Sequence, residues 1–300
     1  MKRVLVHAGY PKAASTTLQN GLFLQLHKKN AIQFLGRAFE SRYYGAKASK
    51  REFKNWFKSV VNNHGDGDSL GPLSDSVLNL LSEGLFMMNE RHSDQIATPE
   101  QLRNHFASKA DRLEVLLILR AQVTLIPSYY VQNYRKMKQK TLSDFLAYQV
   151  RESWAGEGKI FNLHEVTRAY ADALGKGNVH VVLFEDLASH QDAFIAALAS
   201  AMDLPVGLIE DNLGASRLNQ TKNDGGVLLV KKHGKRTLRQ TAIEALTMVS
   251  TAAADALRIR LPAASDAEQQ VIFESFKDSN LRLAKDFSLD KTRMRQYRYF

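Results

Sequence analysis

Cysteine is absent from the 300 residues. Disulfides, thiolate metal sites, zinc knuckles and a cysteine nucleophile are therefore excluded. Long apolar runs are missing too. No stretch approaches the roughly 18 apolar residues of a membrane-spanning helix, so no membrane span is expected. The amino terminus, Met1-Lys2-Arg3, leads into a short apolar run, Val4 to Ala8, which meets Gly9 and Pro11. A secretory signal needs a longer apolar core and a small-residue cleavage site. A cytoplasmic protein is the default expectation, although lack of cysteine is also compatible with secretion. There are no repeats, no low-complexity tract and no Pro/Ser-rich linker.

Apolar types make up 44% of the chain and charged types 24%, which is ordinary globular usage. A disordered chain, a collagen-like chain and a coiled-coil rod are excluded. Charge is biased to one sign. Lys and Arg number 41 against 31 Asp and Glu, a net charge of +10. A surplus of that size suggests anionic partners: nucleotides, nucleic acid, acidic glycans or a membrane face.

Four short apolar runs read as buried parallel strands: Arg3 to His7, Val77 to Leu81, Leu113 to Leu119 and Val179 to Phe184. Helical patterns follow at Ser15 to Lys28, Pro99 to Lys109, Val123 to Lys138, Leu142 to Glu152, Leu163 to Leu174 and Asp192 to Met202. Thr98 before Pro99 is a helix start signal, and Ser265 with Glu268 is a capping-box pattern opening a last helix near Ala267 to Asp286. Strand–helix alternation gives an α/β fold with a mostly parallel sheet. Two stretches fit less well. Gly36 to Ser76 has a helical piece, Arg51 to Val61, and a loop, His64 to Pro72. Residues 223–300 read as helical and basic, without a strand. Both read as additions around one core, so residues 1–300 are expected to form a single domain.

The segment from Val4 to Gln19 is a strand, a tight loop (Gly9-Tyr10-Pro11-Lys12-Ala13-Ala14) and a helix opening on Ser15-Thr16-Thr17. A helix start offers unpaired N–H groups and positive dipole charge, which suit phosphate or sulfate. The three hydroxyls add donors, and Lys12 adds a point charge. Against the Walker A frame, Ala14 replaces the second glycine and no lysine precedes the threonine. The lysine has moved forward into the loop, which suits ordinary ATP or GTP hydrolysis poorly. The plainer alternative is a capped helix start beside a surface lysine.

The run Pro11-Lys12-Ala13-Ala14-Ser15-Thr16-Thr17 resembles the first signature of the sulfotransferases that use 3′-phosphoadenosine 5′-phosphosulfate (PAPS), with Ala14 where many members have glycine. After the third strand, Arg120 stands eight residues before Ser128, and Ser128-Tyr129-Tyr130 follows. This is similar to the family's second signature, whose arginine and serine bind the 3′-phosphate. An arginine offers a planar fork to phosphate and a serine one more donor. Val181 to Leu187, with Glu185-Asp186, looks like the family's late strand, and Leu281 to Leu289 like the closing segment of bacterial members; over the whole chain the resemblance is greatest to bacterial, carbohydrate-type members. The resemblance implies a P-loop-like three-layer fold with additional C-terminal helices. It also implies PAPS as a small-molecule donor, 3′,5′-adenosine diphosphate (PAP) as product and no metal. Pro11 to Thr17, Arg120 and Ser128 would hold the donor, with Lys12 stabilising charge on the bridging oxygen. Arg217, in Arg217-Leu218-Asn219-Gln220-Thr221, would be a further 3′-phosphate ligand or else part of a solvated charge run.

The family takes the acceptor proton with histidine or glutamate. Glu83, after the second strand in Ser82-Glu83-Gly84, is the first candidate, as many members have a similar Ser-Glu there; a turn-capping carboxylate is its alternative. His7 is the second candidate, against a packed or supporting histidine. Glu90 and His92 come next. The acceptor is expected to be a glycan or glycolipid, with no nucleic acid. The basic clusters Lys231, Lys232, Lys235, Arg236, Arg239 and Lys291, Arg293, Arg295, Arg298 would guide an anionic polymer or form solvated faces. Trp56, Trp154, Tyr43, Tyr44, Tyr129, Tyr130 and Tyr134 would stack on sugar or serve the core. Two other functions compete. A P-loop kinase or NTPase needs a strand-end Asp for magnesium, and only Asp186 qualifies. A non-catalytic polyanion-binding protein would show steep salt dependence and no turnover.

Overall fold

The computed structural model describes residues 1–35, 72–83, 98–134, 137–139, 141–214, 226–228, 258–260 and 263–300. Five strands make one parallel sheet: β1 (Arg3–Ala8), β2 (Ile32–Phe34), β3 (Leu78–Glu83), β4 (Arg112–Leu119) and β5 (Val179–Leu183), in the order β2-β3-β1-β4-β5. In β1 and β4 nearly every residue is buried, because a parallel sheet is covered on both faces. The four strands expected from apolar runs are present within two residues at either end. β2 was not expected: Ile-Gln-Phe is too short for its period to be read.

Helix α1 is continuous through an α-helical opening (Ser15–Thr17), a π-helical middle (Leu18–Phe23) and an α-helical end (Leu24–Lys28). Then come α2 (Thr98–Phe106), α3 (Gln122–Asn133), α4 (Leu142–Arg151) and α5 (Leu163–Leu174). After β5 stand α6 (Asp186–Ser189), α7 (Gln191–Met202) and α8 (Val206–Gly214). Last come α9 (Asp266–Asp286) and α10 (Lys291–Gln296). The Ser265–Glu268 capping box is fully formed. The expectation that residues 223–300 hold no strand is corrected. Gly226–Leu228 (β6) and Arg258–Arg260 (β7) pair antiparallel, and each is too short to show alternation. Among the described residues no helix is long and apolar enough to cross a membrane.

The sheet order fixes where a ligand can sit. The chain leaves β1 toward β2 on one side, and leaves β3 and β4 toward the other. Right-handed crossovers then place helices on both faces, giving an α/β three-layer arrangement. The crevice lies at the carboxyl ends of β1 and β4, where the directions diverge. The amino ends are closed by charge. Glu114, wholly buried on β4, accepts from Arg3, from Arg112 at 2.9 Å and from His180 at 2.8 Å. Burial pushes its pKa up, but His180, Arg3 and Arg112 more than reverse this and bring it to about 2.

Candidate functional site

The loop after β1 is built by its own backbone. Tyr10 O accepts the Ala13 N–H at 3.4 Å and the Ser15 hydroxyl at 3.2 Å, which turns the chain into α1. Lys12 (φ 61°) and Ala14 (φ 56°) are both left-handed. A glycine would take either position without strain, so Ala14, standing where the resembling family has glycine, keeps the glycine conformation. Alanine has no capping side chain. The first turn of α1 therefore has no side-chain cap, and a helix start of this kind favours anions.

Arg120 follows β4 directly and reaches this loop. Its Nη1 donates to Lys12 O at 2.9 Å, and its Nε donates to Thr124 Oγ1 at 3.0 Å. The guanidinium lies over the Phe184 ring, 4.8 Å from its centroid. Nη2 has no partner among the described residues. Burial lowers the Arg120 pKa, while Glu185 and Tyr299 act to hold it up. Burial, and then Arg120, lower that of Lys12, whose half-buried ammonium makes no ion pair among the described residues.

The two sequence motifs are thus brought together at the crevice. Arg120 is bonded to the Lys12 carbonyl and Ser15 to the Tyr10 carbonyl of the same loop; Pro11, Ala13 and Thr17 are buried or half-buried in it, and Thr16 is exposed. Ser128 lies on α3, half-buried and without a hydrogen bond to the loop or to Arg120. The open groups among the described residues are donors: Arg120 Nη2, the Lys12 ammonium and the exposed Thr16 hydroxyl. That donor set fits the phosphate and sulfuryl groups of a nucleotide donor.

Glu83 ends β3, and its backbone is in register with Ala8, the last residue of β1. It therefore stands at the carboxyl edge beside the loop. His7, one residue earlier on β1, is wholly buried. Its Nδ1 lies 2.7 Å from Ser82 Oγ, which also accepts from Gln19 Nε2 at 2.9 Å. The Ser82 hydroxyl can serve Nδ1 as donor or as acceptor, and the other ring nitrogen, Nε2, is buried with no hydrogen-bond partner among the described residues. Burial lowers the His7 pKa to about 4.

Several expectations are corrected. Asp186 is not open to a magnesium ion: it is buried, and accepts from Arg293 Nη1 at 2.6 Å and from Tyr297 OH at 2.8 Å. Trp154, Tyr129 and Tyr130 are buried core residues instead of sugar platforms, with Trp154 packed on Phe276 at 4.6 Å. In the carboxyl-terminal cluster Arg293 pairs with Asp186 and Asp290, and Arg298 donates to Gln269. The carboxylate of Glu185, in the late-strand run Glu185-Asp186, meets the Ala121 N–H and the Tyr299 hydroxyl. Tyr299, Thr124 and Gln19 belong to the site's surroundings and were missed. Arg217, Asn219, Thr221, Glu90, His92, Trp56, Tyr43, Tyr44, the cluster Lys231 to Arg239, the helix at 51–61 and the Glu83 side chain lie outside the described residues.

No family model matches the chain, and no curated protein matches it. Among solved structures it is similar to the sulfotransferase from Alicyclobacillus acidocaldarius, at 12% identity and a TM-score of 0.43, over 86% of this chain and 94% of that one.

Proposed function

We propose that this chain is a PAPS-dependent sulfotransferase acting as one domain over residues 1–300, with a hydroxyl of a glycan or glycolipid as acceptor. The observation that carries the reading is the 2.9 Å hydrogen bond from Arg120 to the Lys12 carbonyl. It joins two motifs 108 residues apart at the sheet's switch point, with a cation from each beside a helix start.

The donor supplies an activated sulfuryl group, which the acceptor oxygen attacks as the sulfur–oxygen bond to the 5′-phosphate breaks. Such transfer needs alignment and charge stabilisation more than covalent help. Lys12 neutralises charge gathering on the leaving oxygen. Arg120, with Ser128 and Arg217, holds the 3′-phosphate, and the α1 start holds the 5′-phosphate. Glu83 is assigned as base ahead of His7, because the His7 ring is enclosed and its Nδ1 is committed to Ser82. A Lys12→Ala variant separates this reading from a mere polyanion binder. Transfer of labelled sulfuryl groups from PAPS to a panel of glycan and glycolipid acceptors is expected to be lost in Lys12→Ala. A variant that keeps wild-type transfer would sink the proposal.

A further inference from the structure

Arg120 is held from both flanks by two residues to which the donor reading gives no role. On its amino side, Leu119 O accepts the Phe184 N–H at 2.7 Å and the Tyr299 hydroxyl at 3.1 Å. On its carboxyl side, the Ala121 N–H donates to Glu185 Oε1 at 2.9 Å. The two holds are joined, since Tyr299 OH lies 3.1 Å from Glu185 Oε2. The Tyr299 hydroxyl has one proton, so an unbroken run from the peptide before Arg120 to the peptide after it has Tyr299 donating to Leu119 O and accepting from a protonated Glu185 Oε2. Tyr299 is wholly buried, so its hydroxyl has no water to fall back on.

We propose that Glu185 and Tyr299 are positioning residues for Arg120: by fixing the peptide units on either side, they keep Nη1 on the Lys12 carbonyl and leave Nη2 for an oxyanion of the nucleotide. The inference rests on the donor reading above. The connection needs hydrogen bonds and not a negative charge. A glutamine at 185 accepts from Ala121 through its oxygen and donates to the Tyr299 oxygen through its nitrogen, which frees the tyrosine proton for Leu119 O. Alanine at 185 or phenylalanine at 299 interrupts it. Burial raises the Glu185 pKa, against the Ala121, Tyr299 and Arg120 contacts that lower it, in keeping with a carboxyl that works through hydrogen bonds.

The test is calorimetric titration of the full chain with PAP in a double-mutant cycle, with thermal unfolding to check that each variant folds. Tyr299→Phe is expected to weaken binding about five- to tenfold, the worth of one lost neutral hydrogen bond. In the Arg120→Ala background the same change is expected to alter affinity less than about twofold, because the group it positions is gone. Glu185→Gln should restore most of what Glu185→Ala loses. If Tyr299→Phe does not fold, the cycle is run with Glu185→Ala. Equal weakening with and without Arg120, or unchanged affinity in a folded Tyr299→Phe, would overturn the inference alone. A wild-type chain that does not bind PAP would overturn the donor reading, and this inference with it.

Discussion

Lys12 and Ala14 accept a backbone conformation that costs an L-residue about 1–2 kcal/mol. The loop keeps it because the turn must bring Ser15 and the helix start beside Lys12. Ala14→Gly is expected to relieve that strain, less the roughly 0.5–1 kcal/mol that glycine loses through its freer unfolded chain. A net gain on the order of 0.5 kcal/mol should appear in urea unfolding, and a clear loss would contradict it. His7 carries a pH signature. Its folded pKa of about 4 lies below the ordinary 6.5, so the unfolded chain takes up a proton that the folded chain refuses. Stability is therefore full above about pH 6.5 and falls as pH drops toward 4, by on the order of 3 kcal/mol. The Glu114 contribution is lost lower, between its ordinary 4.5 and about 2. Unfolding midpoints between pH 7 and 4 should flatten in His7→Gln; an unchanged slope would count against this origin. At this scale the loop was legible because its chemistry is local. The roles of Glu185 and Tyr299 were not, since 114 residues separate them.

Among elements, α9 shows what local spacing can reveal. Ser265 caps the Glu268 N–H, and the Glu268 side chain returns to the Ser265 N–H at 2.8 Å. Ser265→Ala should cost about 1 kcal/mol in urea unfolding, and no loss would show that packing alone fixes the helix start. Helix α3 shows the opposite. Ala121 precedes it with no side-chain cap, and its N–H is satisfied by Glu185 from beyond β5. Nothing near Ala121 in sequence signals that. The strands β2, β6 and β7 escaped reading for a simpler reason: at three residues each, alternation has no room to declare itself. Both β1 and β4 were legible because burial on both faces writes a continuous apolar run.

At the scale of the whole molecule, the parallel sheet followed from strand–helix alternation. Strand order did not, because it depends on which way each crossover turns. The segment around α10 is wired to the sheet's carboxyl edge by Arg293 and Tyr297 on Asp186, and by Tyr299 on Leu119 and Glu185. That explains why part of the basic surplus is spent internally and is not offered to a polymer. Asp186→Ala leaves Arg293 with Asp290 as its remaining carboxylate, takes the buried acceptor from the Tyr297 hydroxyl and should cost about 2 kcal/mol. A loss below about 1 kcal/mol in urea unfolding would show that the clamp is not needed. The central claim is that the crevice between β1 and β4 holds a 3′-phosphorylated nucleotide through Lys12 and Arg120. Calorimetric titration with PAP, without magnesium and with ATP for comparison, tests it most directly. Tight metal-free binding that weakens in Arg120→Ala is the expected result; no binding, or a preference for ATP with magnesium, would contradict it and favour a kinase.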